Sequence, residues 1–205
     1  MSEIFGYTKD GIQVDKISLN DGSGNVVTLI SYGAIIQSLV INGNDVVLGY
    51  DDVTGYEEND GCLGAVIGRC ANRISPVDVK ICNEYYHLVP NNGTVQLHGG
   101  IRGFQTYVWD YEESENSVVF THESPDGDEG FPGVCKVSVK YTFKDGCLSL
   151  EYDGVCDKTT IMNFTNHSYF NLNDVKQVNP SSKIYSLKSN ENIKENKTNY
   201  FSGSL

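Results

Sequence analysis

What most limits the fold of this chain is the repeated alternation of apolar and polar side chains in short runs. Val77, Val79 and Ile81 alternate with polar residues, as do Val137, Val139, Tyr141 and Phe143. Leu148, Leu150 and Tyr152 continue the period of two. That period sends successive side chains to opposite faces of an extended strand, so each run offers one face for burial. Residues 26–30, 34–41 and 46–48 are rich in valine and isoleucine, and residues 159–165 also read as a strand. Asn42-Gly43-Asn44 and Lys144-Asp145-Gly146 are hairpin turn signals. No segment of ten or more residues keeps a 3.6 period. The pattern predicts an all-β chain with almost no helix, built as a sandwich or barrel of short strands.

The composition shifts after Leu172. Residues 1–172 carry the strand pattern and are expected to form one β-sandwich. Residues 173–205 are rich in Asn, Lys and Ser, and only 183–187 among them reads as a strand. That tail is expected to be a poorly ordered extension or the start of something cut off. With 205 residues, 39% of them apolar, there is core material for one domain rather than two.

Charge and cysteine usage narrow the partners. The chain holds 27 acidic and 15 basic residues, a net charge of −12. Such a surface repels phosphate backbones and anionic lipid, which argues against nucleic acid and membrane as partners. The longest apolar runs are far too short to span a bilayer. The first residues, Met-Ser-Glu-Ile-Phe-Gly, carry neither a basic nor an apolar leader region. The six cysteines show no C-x-x-C pair and no Cys/His cluster, so no metal site is expected. Six reduced thiols in a cytoplasmic protein follow.

Four histidines can move protons near neutral pH: His87, His98, His122 and His167. His98 precedes Gly99-Gly100, a glycine pair that lets backbone turn sharply and expose the ring. His167 lies in Asn163-Phe-Thr-Asn-His-Ser-Tyr-Phe-Asn-Leu172, where polar and aromatic groups crowd one short strand. That mixture is costly in a core and useful in a sugar pocket. His87 and His122 read as structural. Asn72 and Arg73 place an amide beside a guanidinium, a pair able to hold several hydroxyl oxygens. The glycines at 61, 64 and 68 invite a phosphate-loop reading, but no helix and no Lys-Ser/Thr pair follow, so a glycine-rich strand is the expectation. Glu123, Asp126, Asp128 and Glu129 share a Gly/Pro-rich stretch whose spacing does not match a calcium loop, so residues 123–133 read as a solvated loop.

Four strings together resemble the galactose mutarotase (aldose 1-epimerase) family: Gly68-Arg-Cys-Ala-Asn-Arg-Ile74, the stretch 92–100 ending in Leu-His-Gly-Gly, residues 124–133, and Thr165-Asn-His-Ser-Tyr-Phe-Asn-Leu172. Their order and spacing agree with the family over roughly residues 5–172. The resemblance implies a β-supersandwich, of which this chain would be the N-terminal portion, and interconversion of the α and β anomers of aldohexoses such as galactose and glucose. It implies no cofactor. It implies that His167 is the general acid and that His98 binds the sugar near its ring and anomeric oxygens. It also implies that Asn72, Arg73, Ser168 and Tyr169 bind substrate. The family's general base is a C-terminal glutamate. Asp174, Glu191 and Glu195 sit in no setting that matches it, so no base is assigned, and the alternative expectation is a relative that binds carbohydrate without turnover. Residues 75–78, Ser-Pro-Val-Asp, also depart from a usually glycine-rich family stretch. If the motifs carry over, the six site residues converge on one concave face, with the imidazoles within about 10 Å. His167 then needs a neighbour that keeps its pKa from falling on burial.

Overall fold

The computed structural model describes residues 2–58 and 61–172. The strand-like run at 183–187 and the tail expectation for 173–205 lie outside the described residues. Two antiparallel meanders dominate the fold. The first joins β1 (Glu3–Tyr7), β2 (Gln13–Asn20), β3 (Val26–Ile30), β4 (Ile35–Ile41) and β5 (Asn44–Asp45) in sequence order. One short helix, α1 (Val53–Glu58), follows it. Between the meanders run short pairs: β6 (Val66–Ile67), β7 (Arg73–Ile74), β8 (Asp78–Ile81), β9 (Glu84–His87) and β10 (Gln96–Leu97). The second meander joins β11 (Asp110–Ser114), β12 (Ser117–Ser124), β13 (Cys135–Lys144) and β14 (Cys147–Cys156), and β15 (Thr165–Asn166) then pairs with β6.

Both turn signals act as read. Asn42 and Gly43 have φ of 51° and 81°, and Asp145 and Gly146 have 51° and 72°. Two consecutive positive φ values match the right-handed twist of the strands they join. The β13–β14 ladder therefore runs without a slip from Lys144↔Cys147 to Cys135↔Cys156.

The alternating runs bury one face each. Ile17, Leu19, Val27, Leu29, Ile36 and Leu39 of the first sheet share one core with Val118, Phe120, Val137, Val139, Tyr141 and Phe143 of the second. Phe104 and Trp109 complete that core, and the Trp109 indole N–H donates to the Phe104 carbonyl at 3.1 Å. The Tyr141 hydroxyl, fully enclosed, donates across the sandwich to the Ala34 carbonyl at 2.7 Å. A buried phenol without that bond would leave an uncompensated polar group.

Three expectations change. Residues 159–165 are not one strand: only Thr165 and Asn166 join a ladder, and Asn163 makes an isolated parallel bridge to Cys70. Residues 61–74 are not a glycine-rich strand but a chain of turns with two two-residue strands. Both segments take their hydrogen bonds from each other, as in Asn163 N–H to Arg69 O at 2.9 Å and Ala71 N–H to Asn163 O at 2.8 Å. Third, residues 123–133 are not a solvated loop. Ser124, Phe131, Pro132 and Gly133 are buried, because the loop closes around the guanidinium of Arg69.

All six cysteines are free thiols, including the cross-strand partners Cys135 and Cys156. Thiol titration of the denatured, unreduced chain should count six. A count of two or fewer would contradict the reduced state.

Candidate active site

Two backbone segments carry the histidines singled out above. His167 follows β15, and its N–H donates to Ala65 O at 2.8 Å while its carbonyl accepts from Gly64 N–H at 3.1 Å. His98 follows β10 and adopts φ of 54°, a left-handed conformation uncommon for a residue with a side chain. The next residue, Gly99, lies so close to the Gly68 carbonyl that any Cβ would overlap it. This is the sharp turn that the glycine pair allows.

The fold brings the rings together. The His98 and His167 ring centroids stand 5.0 Å apart, nearly perpendicular at 88°. The Tyr169 ring lies 5.2 Å from His167, tilted by 36°. Asn72 grips His98 at two points: its carbonyl accepts the His98 backbone N–H at 3.0 Å, and its own N–H donates to His98 Nδ1 at 3.1 Å. Nδ1 is thereby an acceptor, so the neutral ring carries its hydrogen on Nε2. Arg73 is exposed beside them, with Nη1 3.5 Å from Asn72 Oδ1. The Ser168 hydroxyl is buried and finds no hydrogen-bond partner among the described residues.

A cavity of about 300 Å³ opens beside His98, lined also by Tyr32, Leu63, Asn91, Leu97 and Gln105. Of the six residues named from the sequence, only His98 lines it. His87 lies elsewhere, exposed and 2.7 Å from Asp78. His122 is boxed among Phe104, Tyr107 and Trp109, with ring centroids at 5.3, 4.5 and 5.3 Å. Among the described residues no three or more His, Cys, Asp or Glu side chains gather into a metal-holding group.

Burial favours neutral imidazole. It pushes His98 down to about 4, helped by the positive potential of His167 and Arg73. Burial also lowers His167, opposed by a backbone hydrogen bond. The expected neighbour that would hold the His167 pKa up is not found among the described residues. His98 Nδ1 already accepts from Asn72 N–H, so a proton entering His98 at that nitrogen would break the bond.

The His98 shift has a consequence for stability. Below pH 6.5 the unfolded ring takes up a proton that the folded ring refuses until about pH 4. Stability present above pH 6.5 is therefore lost as the pH falls through this window. The full shift would be worth about 3 kcal/mol, and about 1 kcal/mol after discounting for the half-exposed ring. Urea unfolding at pH 7.5 and 4.5 should show a steeper acid loss in the native sequence than in His98→Asn. Equal slopes would contradict the shift.

Sequence reasoning missed Arg69, Asn91, Gln96 and Glu129, the side chains that shape the loops around His98. Their signal was faint. Arg69, Gln96 and Glu129 stand inside family strings and Asn91 just before one, but nothing local distinguishes a buried scaffold group from a surface one.

The fold and the geometry together define an all-β sandwich that brings two imidazoles side by side, one of them held in a single tautomer. Comparison makes the class specific. The model of the aldose 1-epimerase family matches residues 15–203, and the chain belongs to that family. It is 43% identical over 151 residues to galactose mutarotase of Bos taurus, covering 71% of this chain and 44% of that protein. It is 41% identical over 174 residues to aldose 1-epimerase of Haemophilus influenzae, covering 82% and 51%. Among solved structures, galactose 1-epimerase from Lactobacillus acidophilus superposes with a TM-score of 0.76 at 30% identity, over 84% of this chain and 53% of that one. An aldose epimerase homologue from C. elegans gives 0.73 at 34% identity, over 77% and 50%. The chain thus shares the mutarotase fold and spans about half the length of the curated relatives it matches.

Proposed function

We propose that this chain carries the acid half of an aldose 1-epimerase site, which interconverts the α and β anomers of an aldohexose such as galactose or glucose. The observation that carries the reading is the 5.0 Å approach of His98 and His167. Ring opening needs a base to take the proton of the anomeric hydroxyl and an acid to protonate the ring oxygen as its bond to C1 breaks. His167 takes the acid role in this reading, because His98 Nδ1 is held by the Asn72 N–H. Once C1–C2 has rotated, the ring closes on the other face and the proton returns. His98 stays neutral and donates from Nε2–H to a sugar oxygen. Asn72 and Arg73 bind hydroxyls, and the Arg73 fork keeps its charge hydrated at the rim. Ser168 offers its unpartnered hydroxyl, and Tyr169 backs the His167 ring. No base is assigned among the described residues.

The partner in this reading is a small neutral sugar, consistent with a chain of net charge −12 that would repel polyanions. The six free thiols support a cytoplasmic setting. Polarimetry on fresh α-D-galactose tests the activity: the optical rotation should drift to equilibrium faster with the chain than in buffer alone. Drift at the buffer rate at any protein concentration would overturn the catalytic reading.

A further inference from the structure

We propose that Glu129 is a positioning residue for His98, holding the loop that presents the imidazole to the sugar. This deepens the site reading above and rests on it. His98 stands at φ 54°, immediately past the last ladder position of β10. A left-handed residue with a side chain costs about 1–2 kcal/mol and persists only where its surroundings over-determine it. Residues 98–102 lie outside the strand ladders and keep only the backbone bonds His98 N–H to Asn72 O and Gly100 N–H to Leu97 O, at 3.0 and 3.2 Å, among those of the described residues, so side chains add to the constraint.

Two side chains do so. Asn91 accepts from Leu97 N–H at 2.6 Å and donates to the carbonyls of Leu97 and Gly100 at 2.9 and 2.8 Å. Glu129 meets the far end of the loop. Its Oε2 accepts from Ile101 N–H at 2.8 Å and its Oε1 from Arg102 N–H at 3.0 Å. A carboxylate that takes two consecutive amides makes two charge-assisted bonds and fixes the direction of the chain. The fit depends on Gly100, at φ 104°, since a Cβ there would overlap the carboxylate.

Glu129 is itself placed with care. It too is left-handed, at φ 47°, and its carbonyl accepts from Val89 N–H at 3.0 Å and from the buried Gln96 amide at 2.9 Å. The loop that carries it closes on Arg69. Arg69 lies three residues from Asn72, which locks His98 Nδ1. The loop after His98 and the residue that sets its tautomer are thus tied to one buried guanidinium, by Glu129 on one side and by the chain 69–72 on the other. Glu129 acts through geometry: the charges that bear on His98 are His167 and Arg73.

Glu129→Gln tests this, because it keeps the shape while turning one acceptor into a donor that faces an amide N–H. Long-range ¹H–¹⁵N spectra of the His98 ring in the 205-residue chain report its tautomer. They should show a single Nε2–H form in the native sequence and a mixture in the variant. D-galactose binding, followed by titration in the same spectra, should weaken about tenfold, as expected for a misplaced binding group. Glu129→Asp, which withdraws the carboxylate by one methylene, should act in the same direction and serves if Glu129→Gln does not fold. Glu123→Gln, at the end of β12 just before that loop, exposed and 3.6 Å from Lys136, should leave both readouts unchanged. A lowered melting temperature with an unaltered His98 tautomer would make Glu129 merely structural and overturn the proposal. If the native chain binds no galactose while the tautomer still responds to Glu129→Gln, the sugar reading fails and the positioning role stands.

Discussion

Arg69→Met should lower the melting temperature by about 6–20 °C. Arg69 is 2% exposed, and its guanidinium donates to the Ser124 hydroxyl at 3.0 and 2.9 Å. It also donates to four loop carbonyls: Ser124 at 3.1, Pro125 at 2.9, Pro132 at 2.8 and Gly133 at 2.8 Å. The ring of Phe131 lies 5.8 Å from the guanidinium carbon. The Ser124 hydroxyl donates onward to the Asp128 carboxylate, which links the buried cation to a negative charge at one remove. Methionine fills much of the volume and donates nothing, so these acceptors would be left buried and unpaired. Breaking a buried charged network of this kind costs about 3–5 kcal/mol. For a domain of this size each kcal/mol moves the melting temperature by about 2–4 °C. Arg69→Lys should also destabilise, by about half as much, because an ammonium has three donors on one point and cannot span a fork-shaped cradle. Thermal unfolding followed by circular dichroism measures both. Losses below about 1 kcal/mol in each would show that the loop does not depend on the guanidinium.

In a longer protein that pairs these residues with a general base, His167→Asn should reduce the anomerisation rate above buffer by about 10²–10⁴-fold, the range typical of removing a general acid. Asparagine is polar and similar in reach but cannot carry the proton to the ring oxygen. The backbone bonds of His167 to Gly64 and Ala65 do not involve its ring, so the fold should persist. His87→Asn is the matched control. It removes an exposed imidazole paired with Asp78, in a setting where ion pairs contribute little. Its rate should stay within about twofold of the native sequence. Polarimetry on α-D-galactose reads all three proteins under the same conditions. Equal losses from the two substitutions would mean that His167 holds no special role in the reaction.

Much of the architecture was legible in the sequence because it is local. Asn42-Gly43 and Asp145-Gly146 can hold two consecutive positive φ values, and that alone sets the register of the strands they join. The alternation at Val137, Val139, Tyr141 and Phe143 decides which face of β13 is buried. The strand expected over 159–165 failed for the opposite reason. Its residues find their partners in the turn-rich stretch 61–74, and no local periodicity records such pairing. The solvated-loop reading of 123–133 failed likewise. Its acidic, Gly/Pro-rich composition is that of a surface loop, yet long-range folding turns four of its carbonyls and the Ser124 hydroxyl toward Arg69.

The same division runs through the candidate site. By itself the sequence determined the residue types that can move protons and bind hydroxyls, the strings that carry them, and the all-β scaffold. These follow from side-chain chemistry and from backbone preferences within a few residues. Only the tertiary structure decided that His98 and His167 face each other, that the Asn72 amide selects the His98 tautomer, and that burial pushes both rings toward the neutral form. Those outcomes depend on distances and on exclusion of water between segments far apart in the chain, which no local pattern encodes.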